Sequence, residues 1–252
     1  MLSYSEFGDA GAPPVMIVHG LYGSGRNWSV IAKRLSDRFR VFTIDLRNHG
    51  LSPHTDTHSY PEMAQDIAEL ITHLGGPMQI VGHSMGGKAV MTLALTQPDL
   101  VDRMIIADIA PVTYTHSQLP YIHAMKAVDL NAVTRRSEAE AQLSAQGVEP
   151  ALCSFFTQSL DINEKRWRLN LDTLETEMPK IMSFPDVAGR YDGHVLFLTG
   201  ANSDYVLPEH RTGIKDLFPG AHFAKLKDAG HWLHADKPRE FEAALRGFFK
   251  PD

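Results

Sequence analysis

The sequence predicts an α/β fold: a mostly parallel, twisted sheet with helices on both faces, interrupted by a helical insertion. Three observations carry this. Short, continuous apolar runs such as Val15-Met16-Ile17-Val18 have the pattern of strands buried on both faces, whereas a half-exposed strand would alternate. Such runs are separated by segments of helical periodicity, which is how βαβ units read in sequence. Between Pro111 and about Pro185 the strand-like runs stop while helical ones continue. The expected organisation is therefore a core of residues 1–110 and 186–252 with a helical cap, or lid, over 111–185.

Val15–Val18 ends abruptly at His19-Gly20-Leu21-Tyr22-Gly23-Ser24-Gly25, where three glycines let backbone rather than side chain approach a ligand. For His19 itself, a hydrogen-bonded loop histidine is the expected role. Trp28, Ile31, Ala32 and Leu35 then share one helical face. Arg40–Asp45 reads as the next strand, and the polar loop Leu46–His54 follows, with Arg47 and Asn48 expected to brace its neighbours. Ser59 can cap a helix over Pro61–Leu74, which Gly75-Gly76 ends. A strand from Met78 precedes a small-residue helix running to about Gln97, and Met104–Ala107 is a strand ending at Asp108. Within the insertion, helices are expected over Leu119–Val128, Ser137–Gln146, Ala151–Ser159 and Leu171–Met182. Met125, Phe155, Phe156, Trp167 and Leu171 would form its apolar inner face. The sheet resumes at His194–Thr199, then come a helix near Pro208–Leu217, a last strand Ala221–Leu226 and a C-terminal helix Pro238–Phe249.

The chemistry concentrates at Gly82-His83-Ser84-Met85-Gly86, a G-x-S-x-G sequence set between strand and helix as a nucleophile elbow requires. So sharp a turn strains the central residue and leaves no room for side chains two positions either side, hence Gly82 and Gly86. Ser84 is the candidate nucleophile. The N–H of Met85, at the start of the helix, and that of Leu21 in the glycine loop are the candidate oxyanion donors. A serine needs a base and the base an orienting carboxylate. His231 follows the last strand, C-terminal to every candidate acid, and is the candidate base. Asp108 and Asp204 both stand at strand ends and both qualify as the acid. The pairs His54/His58 and His231/His234 have helical spacing but no accompanying carboxylate or cysteine set, so no metal is expected.

Composition narrows the partners. The net charge of −6 and pI near 6.1 offer no basic field for nucleic acid, so a small molecule is the expected partner. A single cysteine, Cys153, allows no internal disulfide and fits a reducing compartment. The segment MLSYSEFGDAGAPP has neither a basic n-region nor an apolar run, and no stretch is long enough to span a membrane, so the cytoplasm is the expected location.

HGLYGSG, DLRNHG-x-SPH, GHSMGG and AGHWLH together resemble the α/β-hydrolase superfamily over essentially the whole chain outside the cap. The DLRNHG-x-SPH and ADIAP stretches resemble, more narrowly, the small carboxylesterase group that includes YbfF and the ABHD11-like proteins. The resemblance implies an α/β-hydrolase fold with the cap inserted after the sixth strand, and a serine carboxylesterase acting on small or medium-chain esters without cofactor or metal. It also implies the acid. The superfamily's usual G-x-x-D position is occupied here by Ser203, and the ADIAP match favours Asp108 over Asp204. The same residues serve thioesterases, C–C bond hydrolases and perhydrolases, and a slowly hydrolysing receptor would keep them too. A serine at the elbow argues against epoxide hydrolase or dehalogenase chemistry, which needs a carboxylate nucleophile. Oligomeric state is not written in these motifs.

Overall fold

In the computed structural model, which describes residues 1–250, the apolar runs form a seven-stranded sheet. Its strands are β1 (Tyr4–Phe7), β2 (Pro14–Val18), β3 (Arg40–Ile44), β4 (Met78–His83), β5 (Val101–Ala107), β8 (His194–Gly200) and β9 (Ala221–Leu226), with β6 (Leu160–Asp161) and β7 (Arg166–Trp167) forming a separate ribbon inside the insertion. The spatial order is β1-β3-β2-β4-β5-β8-β9, and every pairing is parallel except that of β1 with β3. All six residues of β4 are buried, as a central strand covered on both faces requires.

The described residues form eleven α-helices, of which α4–α8 belong to the insertion: α1 (Ser29–Leu35), α2 (Tyr60–Leu74), α3 (Met85–Thr96), α4 (Leu119–Lys126), α5 (Arg136–Ala145), α6 (Pro150–Thr157), α7 (Leu171–Thr176), α8 (Met178–Met182), α9 (His210–Leu217), α10 (Leu233–Asp236) and α11 (Pro238–Phe248). The two-residue period of a strand explains how one apolar run serves two cores. Val15 and Ile17 pack with Trp28, Leu35, Phe241 and Leu245 of the α1/α11 layer, while Met16 and Val18 pack with Ile67, Ile71 and Leu93 of the α2/α3 layer. Local signals agree with these boundaries. Ser59 and Glu62 form a reciprocal capping box at the start of α2, and Gly75 ends that helix at φ 110°, in the left-handed region.

Four details depart from the sequence-based expectation. The antiparallel edge strand β1 was not expected, because three of its four residues are exposed and leave no buried alternation to detect. One strand therefore precedes β2, and the insertion leaves the sheet after the fifth strand in chain order, β5, not the sixth. The insertion is not wholly helical, since β6 and β7 pair over two residues each, too short for any periodicity to register. A single helix over Leu171–Met182 is instead α7 and α8, broken at Glu177. Pro179 forces this, because its ring would collide with the Glu175 carbonyl in a continuous helix. No helix among the described residues is long and apolar enough to cross a membrane.

Candidate active site

Adjacent parallel strands bring the first two site residues together. β4 and β5 pair in a register that sets His83 opposite Ala107, so Ser84 and Asp108 leave the sheet side by side. The Ser84 N–H donates to the Ala107 carbonyl at 3.0 Å, and the Asp108 N–H to the Leu198 carbonyl of β8 at 2.9 Å. Both residues hold left-handed backbone, φ 52° and 53°, which costs on the order of 1–3 kcal/mol each and is sustained by the surrounding structure. The elbow glycines meet their steric requirement. A Cβ on Gly82 would lie 2.7 Å from the Gly86 carbonyl oxygen, and one on Gly86 would lie 2.4 Å from that of His19.

His231 enters from the loop between β9 and α10. Its Nδ1 donates to Asp108 Oδ2 at 2.8 Å, and its Nε2 stands 3.1 Å from Ser84 Oγ, positioned to accept the hydroxyl proton. Asp108 is fully buried. Its Oδ1 accepts from the Gly200 N–H at 3.0 Å, and Oδ2 also accepts from the Ser203 hydroxyl. The position where the resemblance places the usual acid, Ser203, thus holds a hydroxyl bonded to the Asp108 carboxylate of the neighbouring strand. Asp204 is exposed and is not bonded to His231. Tyr205, next along, stacks on the His231 ring with centroids 3.9 Å apart; burial and the nearby Asp108 carboxylate push its phenol up to about 12.

Leu21 and Met85 line the same cavity as Ser84 and His231. Among the described residues neither of their backbone N–H groups is taken by a protein acceptor. The glycine loop lies hard against the elbow: a Cβ on Gly20 would stand 3.1 Å from that of Ser84. The cavity holds about 250 Å³ and is roofed by residues of the insertion, Phe155 and Phe156 among them. Met125, Trp167 and Leu171, expected on this inner face, do not line it. They are buried in the insertion's own packing, where the Trp167 indole donates to the Met125 carbonyl at 3.0 Å.

The two histidines nearest His231 are packed against other groups. His83 donates from Nε2 to the His231 carbonyl at 2.8 Å; burial, followed by the neighbouring His231 and His234, keeps it well below the ordinary histidine range. His234 stacks on Trp28 at 3.9 Å, and burial lowers it to about 4. Among the described residues no three His, Cys, Asp or Glu side chains are grouped as metal ligands. Arg47 pairs with Asp66 at 2.6 Å and Asn48 donates to the Thr57 carbonyl at 2.9 Å, both bracing the loop after β3.

Lys88 was not singled out in the sequence. It lies on α3, lines the cavity and is 1% exposed. Its ammonium donates to the carbonyls of Met182 and Ser183 at 3.0 and 2.6 Å, beneath the Tyr114 ring, and burial lowers it to about 7. The available signal was a lysine one turn after the nucleophile on a helix otherwise built of small and apolar residues.

The model of the Alpha/beta hydrolase family matches residues 15–244. The sn-1-specific diacylglycerol lipase ABHD11 of Mus musculus is 43% identical, with 98% of this chain and 84% of that protein covered. Esterase YbfF of Escherichia coli (strain K12) is 35% identical over 93% of this chain and 92% of its own length. Among solved structures, a marine microorganism esterase superposes with a TM-score of 0.93 at 38% identity, covering 98% of this chain and 99% of that one.

Proposed function

From the premise that this chain belongs to the alpha/beta hydrolase family, we propose that it is a serine carboxylesterase acting on small and medium-chain esters. Its relatives carry esterase and lipase names, and the continuous hydrogen-bonded line Ser84–His231–Asp108 carries the reading on this chain. Ser84 Oγ attacks the ester carbonyl carbon as His231 Nε2 takes its proton. The carbonyl oxygen becomes an oxyanion facing the N–H groups of Leu21 and Met85. Collapse expels the alcohol with the proton returned by His231, leaving the acyl group on Ser84. Water, deprotonated by the same nitrogen, then releases the carboxylic acid and restores the serine. Asp108 orients the imidazole and stabilises it when charged, and each oxyanion donor contributes roughly 3–4 kcal/mol. No step requires a cofactor or metal.

The size of the acyl group follows from the cavity. At about 250 Å³ it falls just below the range of about 300–1,000 Å³ common for drug-sized ligands, so short and medium acyl chains fit inside. Residues 111–185 act as the cap that closes this space. A p-nitrophenyl ester series from acetate to laurate checks the proposal, with wild type turning over many times, fastest on the shorter chains, and Ser84→Ala reduced to background. A single-turnover burst, or an unchanged Ser84→Ala, would overturn it.

A further inference from the structure

We propose that His19 and His49 are positioning residues that set the direction of the Leu21 N–H and thereby one half of the oxyanion hole, an inference that rests on the ester-hydrolase reading above. The argument begins with a single peptide plane. The Gly20 carbonyl and the Leu21 N–H belong to the same planar, trans peptide and point in opposite directions, so holding the oxygen aims the hydrogen. His19 Nδ1 donates to the Gly20 oxygen at 2.7 Å, and the Gly23 N–H donates to it at 3.0 Å. These bonds also polarise the peptide, which strengthens its N–H as a donor.

The next two peptides are held from the other side. The Tyr22 N–H donates to His49 Nε2 at 3.2 Å, and the Tyr22 carbonyl accepts from Ser159 Oγ of the insertion at 3.1 Å. Tyr22 needs this support because it sits at φ 64°, left-handed backbone unusual for an aromatic residue. Leu21 is thus clamped between a residue bound by His19 and a residue bound by His49.

Only a neutral imidazole makes the full set of bonds found at either ring, because each accepts at Nε2. His49 Nδ1 donates to the Arg47 carbonyl at 2.9 Å, which leaves Nε2 as an acceptor. His19 donates from Nδ1 while its Nε2 accepts from the Leu46 N–H at 3.0 Å. Each ring therefore works as donor on one edge and acceptor on the other. The rings lie 5.1 Å apart and are buried. Asp45 also faces His19, while His58 and, further off, His54 face His49. Burial leads the causes that keep both histidines below their ordinary range. This assigns a task to the histidine of the DLRNHG stretch, which the reaction steps above leave without one.

The test measures kcat and KM on p-nitrophenyl butyrate, and the affinity for a trifluoromethyl ketone whose hemiketal oxyanion occupies the hole. His49→Leu is expected to lower kcat by about 10- to 100-fold, change KM by less than about twofold, and weaken the ketone in proportion to kcat. His49→Gln, which returns an acceptor oxygen near the place of Nε2, should recover most of that loss. The proposal is overturned if His49→Leu keeps its kcat, if the ketone still binds as tightly while kcat falls, or if His49→Gln loses as much as His49→Leu. Should His49→Leu not fold, His49→Gln decides alone. Its residual losses in kcat and ketone affinity must match at constant KM, and a mismatch overturns the proposal. Wild type against Ser84→Ala on the same ester tests the esterase reading separately. If that reading fails, the amide chemical shift of Leu21 in labelled His49→Gln still reports on the clamp, and an unshifted resonance overturns it.

Discussion

Asp108→Asn is expected to lower kcat on p-nitrophenyl butyrate by about 10⁴-fold, whereas Asp204→Asn should stay within about twofold of wild type. The buried carboxylate accepts the Nδ1–H of His231 at 2.8 Å, which fixes the tautomer whose Nε2 is free to receive the serine proton. An asparagine in the same place can present its amide N–H to the ring, and the imidazole then keeps its proton on Nε2, facing Ser84. Geometry survives while basicity at the reacting edge is lost. Because Gly200 and Ser203 also donate to Asp108, the amide is left poorly matched to its neighbours, and a loss of Tm should accompany the loss of rate. Equal activity of the two variants, or a dead Asp204→Asn beside an active Asp108→Asn, would remove Asp108 from the mechanism.

The second large effect is acid destabilisation. His58 is fully buried and lowered to about 3, burial being the first cause and Arg47 the second; its Nε2 contacts the Met85 sulphur at 3.3 Å. Its folded pKa lies below the unfolded value of 6.5, so between those values the unfolded chain binds more protons than the folded one. Stability is therefore lost as pH falls below about 6.5. At pH 5 the linkage amounts to about 2 kcal/mol for this residue alone, a large share of a typical total of about 5–15 kcal/mol. His19, His49, His83 and His234 are shifted in the same direction and add to the loss. Urea midpoints at pH 7 and pH 5 check this. Wild type should lose more than about 2 kcal/mol over that interval and His58→Gln about 2 kcal/mol less. An equal loss in both would show that His58 is not held neutral.

What the sequence disclosed and what it concealed divide along physical lines. The elbow was legible because its signal is local, two glycines flanking Ser84 just past the apolar run of β4, although only Gly82 is crowded by near neighbours (Gly86 and Gly87), while Gly86 is crowded by Val18 and His19 at the end of the adjacent strand. His231 was legible from chain order. The choice between Asp108 and Asp204 could not come from spacing, since both stand just past the end of a strand. What separates them is a contact between distant segments, since the Asp108 carboxylate and not that of Asp204 is bonded to His231. The clamp on Leu21 was invisible for the same reason, as His49 is 27 residues from Tyr22 along the chain. The exposed edge strand β1 and the two-residue ribbon β6–β7 fell below the length or burial at which a pattern exists. The break between α7 and α8 is the one departure with a local signal, Pro179, whose ring cannot continue the helix.

On the proposed mechanism, placing the acid Asp108 beside the nucleophile Ser84 has a consequence for how this architecture can change over time. Ser84 and Asp108 are separated by one ladder of backbone hydrogen bonds, so their distance is a property of sheet geometry that no loop can alter. The turn after β8, from Ala201 to Leu207, is relieved of carrying a charge at a fixed distance from the base. It supplies a hydroxyl from Ser203 and an aromatic face from Tyr205, groups that adjust what surrounds the imidazole without defining its orientation. On that mechanism, changes in this turn outside Ser203 and Tyr205 would reshape the surroundings of the cavity while leaving the hydrogen bonds from Asp108 to His231 and from His231 to Ser84 in place.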